Sequence, residues 1–514
     1  MFKRYNMKNK INLLSIAIGM LVLISSCSKQ LDLAPISSVG EGNFWKTPEQ
    51  VDAFVNGVHT RFRSHVQRFL FLGELRADIQ GTDPGTSTSF TGESTAGNER
   101  MWNNTLGLDA PGVADFGGFY ANINQLNLLI SKLNTTNITT AANKGYYLGI
   151  AHGMRAFYYF QMHMAWGKAI IQTEPTASID ISNLAKAAAP EAELMKLIKD
   201  DIEKSLTAFG TNYTYRNTKS FWSKNATLML KGNVYLWTAQ KGGGSADATI
   251  AKTALLDVQA NGGASLQASF ANIFATTTRG NSEVIFASRH LLNEATLPII
   301  NFLPQTGLLI NFHDSIAKRK FDVVTDNWGG TYFFPMMMST FRRFNDRDTR
   351  KWASIQPCYR LTGTTYTLAG VFGSKYKGEQ NAGVRNYTND YIIYRFADLL
   401  LMLAEAKVLL GESPATEINL VRARAYGAAY VAATDAFTRQ AGDTDAKEAI
   451  LRERYFEFIM EGKRWLDLRR FGDAYIFKYT SVKASEAYKV LWPIDRTTLT
   501  NNKLLEQTPG YPAF

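Results

Sequence analysis

Apolar side chains that return every 3.6 residues, stretch after stretch, limit this chain most, because a helix with one apolar stripe has to cover it with another element. Thr47-Pro48-Glu49-Gln50 opens the first such stretch, with Thr47 suited to the N-cap, Pro48 to the first turn and Gln50 to completing a capping box. Behind it Val51, Phe54, Val55, Val58 and Phe62 share a face. The same spacing recurs at Phe119, Ile123, Leu126 and Ile130, through the aromatic-rich Tyr146 to Trp166, at Met195, Ile198, Ile202, Leu206 and Phe209, and from Ala226 to Trp237. Amphipathic helices that each need a partner predict a mainly α fold of stacked, tetratricopeptide-type hairpins, although no clean repeat of that length is visible.

From Lys241 to about Asn389 the pattern turns irregular, with one strand expected at Glu283–Ser288. Helical order is expected again over Tyr391–Ala406 and Ile450–Arg470. The chain therefore divides into a helical part at 27–240, an insert-rich region with short strands at 241–389, and a C-terminal helical part and tail at 390–514. In Ile450–Arg470, Leu451, Tyr455, Phe458, Ile459, Gly462 and Leu466 fall on one face, with Gly462 leaving room for another segment. Glu453, Glu457 and Glu461 lie opposite, and Glu461 with Arg464 and Asp467 with Arg470 can pair at i, i+3.

Residues 1–26 read as a secretory signal. Lys3, Arg4, Lys8 and Lys10 precede an apolar stretch from Ile11 to Ile24, shorter than the ~20 residues of a membrane span. The run Ile24-Ser25-Ser26-Cys27 is similar to a bacterial lipobox, which makes Cys27 the acylated first residue of the mature protein and anchors the chain without spanning. The only other cysteine is Cys358, so stability rests on packing and not on an internal disulfide.

The formal net charge of +11 includes those four signal cations, and the remaining Lys and Arg are interspersed with acids, which argues against nucleic-acid binding. None of the six histidines forms a metal-ligand pattern, so no metal or cofactor is expected. Gly242-Gly243-Gly244 lacks the Lys-Ser/Thr of a phosphate cradle, and Gly92–Gly97 is a residue too long for a nucleophile elbow. Glu457 and Glu461 could be taken for a glycosidase pair. Their four-residue spacing among arginines instead predicts an ion-pair network, and Asp398 and Glu405 are expected to meet arginines such as Arg422, Arg424 or Arg454.

Two blocks, Arg395–Ala406 and Glu453–Arg470, resemble the SusD/RagB family of outer-membrane nutrient-binding lipoproteins. The resemblance extends through Arg155–Phe160 with Trp166-Gly167, Asn345–Arg350, Trp492-Pro493-Ile494 and Pro509-Gly510-Tyr511, and it includes the mature start Cys27–Asp32. It departs at Thr508, where relatives more often carry Asn. It implies capture of an extracellular oligosaccharide at the outer surface, without catalysis, and delivery to a SusC-like TonB-dependent transporter. Oligopeptide capture within the same family, a surface glycoside hydrolase and a protein-binding helical scaffold are the alternatives. Sugars pack their C–H faces on aromatic rings and offer hydroxyls to amides and charges. Trp102 with Asn103 and Asn104, downstream of Arg76 and Asp78, offers that mixture beside a long Gly/Ser/Thr loop, and the resemblance adds Trp328 and Tyr332. These seven are the expected ligand contacts.

Overall fold

A computed structural model describes residues 44–83, 90, 95–113, 116–176 and 185–514. The signal, Cys27 and most of the Gly/Ser/Thr loop lie outside the described residues.

Helix α1 (Pro48–Ser64) begins as its sequence dictates. Gln50 N donates to Thr47 Oγ1, and Gln50 Oε1 accepts from Thr47 N at 3.2 Å, which closes the capping box. Helices α2 (Val66–Glu74), α3 (Tyr120–Thr135), α4 (Ala141–Trp166), α5 (Glu191–Phe209), α6 (Lys224–Thr238) and α7 (Gly244–Asn261) follow. Each of α3 to α7 packs on its predecessor in the stack, α3 resting on α1. Helix α4 is the central post: from Tyr146 to Trp166 it is buried on nearly every side. Gly149 and Gly153 make this possible, because a Cβ at either would run into Phe209 or Trp222.

The regular stack runs on through α7, beyond the break expected near Lys241. Ala248, Ala251, Ala254, Leu255 and Val258 form its buried stripe, and a stripe mostly of alanine gives little hydrophobic contrast to read. Helix α8 (Phe396–Leu409) then packs on α7 and carries α9 (Ala415–Tyr426) and α10 (Ala446–Glu457). The expected strand appears as β1 (Val284–Ser288). Its partner is a correction to the expected helix at 391–406. Residues Tyr391–Arg395 form strand β8, antiparallel to β1, and the helix starts only at Phe396. A run of Tyr-Ile-Ile-Tyr favours the pleated conformation, and its apolar sequence alone could not say so. Between β1 and β8 lie the four-stranded sheet of β2 (His313–Asp314), β3 (Arg319–Lys320), β4 (Ile355–Thr362) and β5 (Thr365–Gly373), and the small hairpin of β6 (Glu379–Asn381) and β7 (Val384–Asn386).

The second correction is at Ile450–Arg470, which is two helices and not one. After α10, residues 458–463 form a tight strap before α11 (Arg464–Phe471), with Met460 at φ +61° and Gly462 at φ +66°. A Cβ at Gly462 would stand 2.8 Å from the Phe69 carbonyl oxygen, and one at Gly73 only 1.7 Å from the Gly462 oxygen. The strap lies backbone to backbone on α2.

Behind it is a buried ionic core. Glu457 accepts from Arg350 Nη1 (2.9 Å), Arg395 Nη1 (2.6 Å) and Arg424, while Glu461 is held by Arg395 and by Lys375 at 2.8 Å. Burial opposes ionisation of Glu457, but the three arginines outweigh it and keep its carboxyl well below the usual range. Asp398 meets Arg454, as expected, at 2.8 Å, and Asp467 pairs with Arg470 at 3.0 Å. Glu405 goes to Arg470, Arg422 to Glu453 and Asp443, and Arg424 to Glu283 as well as Glu457. Glu461 and Arg464 do not pair. Arg464 binds Asp78 at 2.8 Å instead, because the helix breaks between them.

Candidate functional site

Six of the seven expected ligand contacts are buried; among them only Asn103 is exposed. The Arg76–Asn104 group is a structural clamp. The Arg76 guanidinium lies between the indoles of Trp465 and Trp492, 4.3 and 4.9 Å from their centroids. Its Nε donates to Asn104 Oδ1 at 2.7 Å, and its two Nη atoms donate to the carbonyls of Leu491 and Lys489. Burial lowers its pKa to about 10, which still leaves it charged at neutral pH. Asn104, itself left-handed at φ +53°, donates to Trp102 O and to Ser481 Oγ. Trp102 is 8% exposed and leans on Gly81, where a Cβ would sit 2.7 Å from its ring. Asp78 is taken by Arg464 and Arg343, both at 2.8 Å. Burial raises its pKa, and the two arginines more than offset this. Tyr332 is fully buried, its hydroxyl donating to Val371 O. The amides and charges that looked available for a sugar are thus consumed by the fold.

Trp328 is the exception in position. Although 7% exposed, it forms part of the wall of a cleft of about 520 Å³ between α2, residues 296–301, the 327–329 loop and the β6–β7 hairpin. Four backbone bonds position the loop: Gly330, Thr331, Tyr332 and Phe334 donate to the carbonyls of Pro304, Ile300, Leu303 and Asn301 at 2.9–3.1 Å. Gly330 is required for that approach, since a Cβ would lie 1.8 Å from Leu303 O. The Trp328 ring sits edge to face on Phe372 at 5.1 Å, with Arg385 over it at 4.6 Å. Arg385 also ties the hairpin to the loop by donating to the carbonyls of Asn327 (2.9 Å), Thr325 (3.1 Å) and Lys377 (2.6 Å).

Four amides complete the cleft, each with one end engaged. Asn301 Oδ1 accepts from Thr331 and Asn327 Oδ1 from Thr306, which leaves both Nδ2 groups free. Asn386 Nδ2 donates to Val384 O and Gln67 Nε2 to Pro298 O, which leaves both oxygens free. Ile300 (45% exposed) and Val384 (60% exposed) give apolar rims. Among the described residues, Arg385 is the only charged member of the lining, which holds no carboxylate, histidine or cysteine. The exposed apolar rims can pack against a neutral polyol and the open amide ends can hydrogen-bond it, with the largely covered Trp328 ring backing the wall, but the lining offers no acid–base pair. Apart from Trp328, sequence reading missed every one of these groups. The nearest signal was Val384-Arg385-Asn386 behind Ala382-Gly383, a hairpin turn inside the region read as irregular.

The fold with its helical stack, strand insert and ionic C-terminal block defines a class with known members. The SusD family profile matches residues 344–511. The structure of B. fragilis NanU is similar at 40% identity and a TM-score of 0.87, covering 93% of this chain and 100% of that one. A SusD superfamily protein from Bacteroides vulgatus is 36% identical at a TM-score of 0.83, covering 91% and 100%. A laminarin binding SusD-like protein shares the fold alone, at 20% identity, a TM-score of 0.69 and coverage of 91% and 100%. This chain belongs to the SusD/RagB family.

Proposed function

We propose that the protein captures an extracellular oligosaccharide at the outer membrane surface, held there by a lipid on Cys27, and passes it without turnover to a TonB-dependent transporter. The observation that carries this reading is the Trp328 cleft: an indole in its wall, apolar rims, and four half-used amides with no carboxylate among them. Sugars need that mixture, whereas glycoside hydrolysis needs two carboxyl groups flanking the bond. A protein of this fold is described as laminarin binding, which supports the class of ligand and not its identity. With a single charge in the lining, the cleft favours a glycan over an oligopeptide, whose termini and side chains call for charged pockets. Glycan-array screening followed by calorimetry tests this. The double variant Asn301→Ala, Asn386→Ala is expected to lose about 1 kcal/mol of binding for each sugar hydrogen bond removed, with melting little changed. Unchanged affinity would place the site elsewhere, and release of product from a labelled glycan would make the protein a hydrolase.

A further inference from the structure

We propose that the ligand surface continues past the Trp328 cleft, across the 291–295 turn, into a second and smaller subsite, so that the natural ligand is a chain long enough to occupy both. This rests on the reading of the larger cleft above. The second cleft, of about 260 Å³, lies between α1, residues 217–221 and residues 288–294. Both clefts follow one seam. Arg63 Nη1 donates to Glu294 Oε1 (2.6 Å) and to Arg289 O (3.2 Å) in the second cleft, and Gln67, four residues on, donates to Pro298 O in the first. Between them Leu291 and Ala295 exchange two backbone hydrogen bonds of 3.1 Å, which closes the turn that separates the two clefts along the chain.

Three independent features mark the smaller cleft as built for a ligand. First, Ser288 belongs to its lining, is only 4% exposed, and its Oγ has no hydrogen-bond partner among the described residues, an omission that folded proteins seldom leave uncorrected. Second, Asn217, Thr218 and Lys219 are three consecutive side-chain-bearing residues in the left-handed region, at φ 48°, 52° and 65°. Strain of this kind gathers at ligand sites and persists only where neighbours enforce it. Here Arg289 Nη2 donates to Thr218 O at 3.0 Å and Lys219 Nζ to Asn281 O at 2.7 Å, and the result delivers Asn217 to the cleft wall. Third, Phe221 lies flat on His59, with centroids 4.3 Å apart and planes 7° from parallel. His59 Nε2 accepts from Trp222 N at 3.0 Å, so the ring is neutral and the stacked pair gives an uncharged aromatic flank. Thr60 and Asn56, on the exposed face of α1, close the mouth with further hydroxyl and amide groups. The one carboxylate, Glu294, is already bound to Arg63 and has no second carboxyl group among the lining residues, so this subsite too binds without hydrolysing.

The test is calorimetric titration of the lipid-free protein with size-graded malto-, laminari-, xylo- and chito-oligosaccharides. Affinity is expected to rise by about tenfold once a chain is long enough to reach both clefts. Thr60→Tyr, an exposed helix position whose ring fills the smaller mouth, is expected to erase that rise, leaving the shortest binders and the melting temperature as they were. The Asn301→Ala, Asn386→Ala variant should weaken every chain length. Affinity that is already maximal for the shortest binder and indifferent to Thr60→Tyr would overturn the second subsite and leave the larger cleft standing. Failure of every series to bind, or loss in Thr60→Tyr with the asparagine variant silent, would overturn the reading of the larger cleft and this one with it.

Discussion

Trp102 shows how a residue can look like a ligand platform and serve as mortar. Its amide neighbours read identically from sequence whether they meet a sugar or the Arg76 guanidinium, because the groups that decide it, Trp465, Ser481 and Leu491, lie hundreds of residues away. Trp102→Ala is accordingly expected to lower stability by about 3–5 kcal/mol, the range for a buried aromatic truncation, and to leave glycan affinity per folded molecule unchanged. Urea denaturation beside calorimetry checks both halves. An unaltered unfolding midpoint would return the ring to the surface. Trp328, by contrast, was recognisable as a candidate, but its usefulness comes from amides at 67, 301, 327 and 386 that share no local pattern and meet through the backbone bonds between residues 300–304 and 330–334, the Gln67–Pro298 bond and the Arg385 tie of the hairpin.

At the scale of elements, periodicity and capping were legible wherever one helix met one partner: α1 and α3 to α6 lie where their stripes place them. The strap at 458–463 was not legible, since Phe458, Ile459, Gly462 and Leu466 keep helical spacing even though the chain leaves the helix there. What breaks it is tertiary: α2 needs the space, and Gly462 alone can take φ +66° with the Phe69 carbonyl that close. Gly462→Ala should therefore cost about 1–2 kcal/mol for the left-handed backbone and about 1–3 more for overpacking, seen as an earlier thermal transition. A variant that melts like the parent would mean the strap can move off α2. The ionic core was legible as a network, because Glu453, Glu457 and Glu461 sit amid arginines. Which arginine meets which acid was not, because that follows from where the helix stops.

For the whole molecule, two sets of buried groups set opposing limits on pH. Burial is the chief cause that lowers His59, His65 and His290 to about 4 and His163 to about 3, from 6.5. As pH falls below 6.5 the unfolded chain takes up protons that the folded chain refuses, so this stability is present above 6.5 and is lost as pH drops through about 4. Glu74 acts with the other sign. Burial pushes its carboxyl up to about 8 from 4.5, so its contribution is complete below 4.5 and is lost as pH rises through 8. Urea midpoints across this window should peak between the two limits, and Glu74→Gln, which cannot ionise, should remove the alkaline decline while leaving the acid one. An alkaline decline that persists in that variant would assign it to another group. The clamp around Arg76 has a further consequence, in time. Its partners are the Trp465 and Trp492 indoles and the Lys489 and Leu491 carbonyls, 413 and 415 residues downstream for the last two, while the buried Glu74 carboxyl waits for the Met460 N–H and the charge of Asp78 for Arg464. Domains ordinarily fold as units during synthesis, N-terminal ones first. Here the Arg76 clamp and the Asp78 ion pair, just past α2, cannot close until nearly the last tenth of the chain is present, so a C-terminally shortened polypeptide is expected to stay open and to be cut early by limited proteolysis.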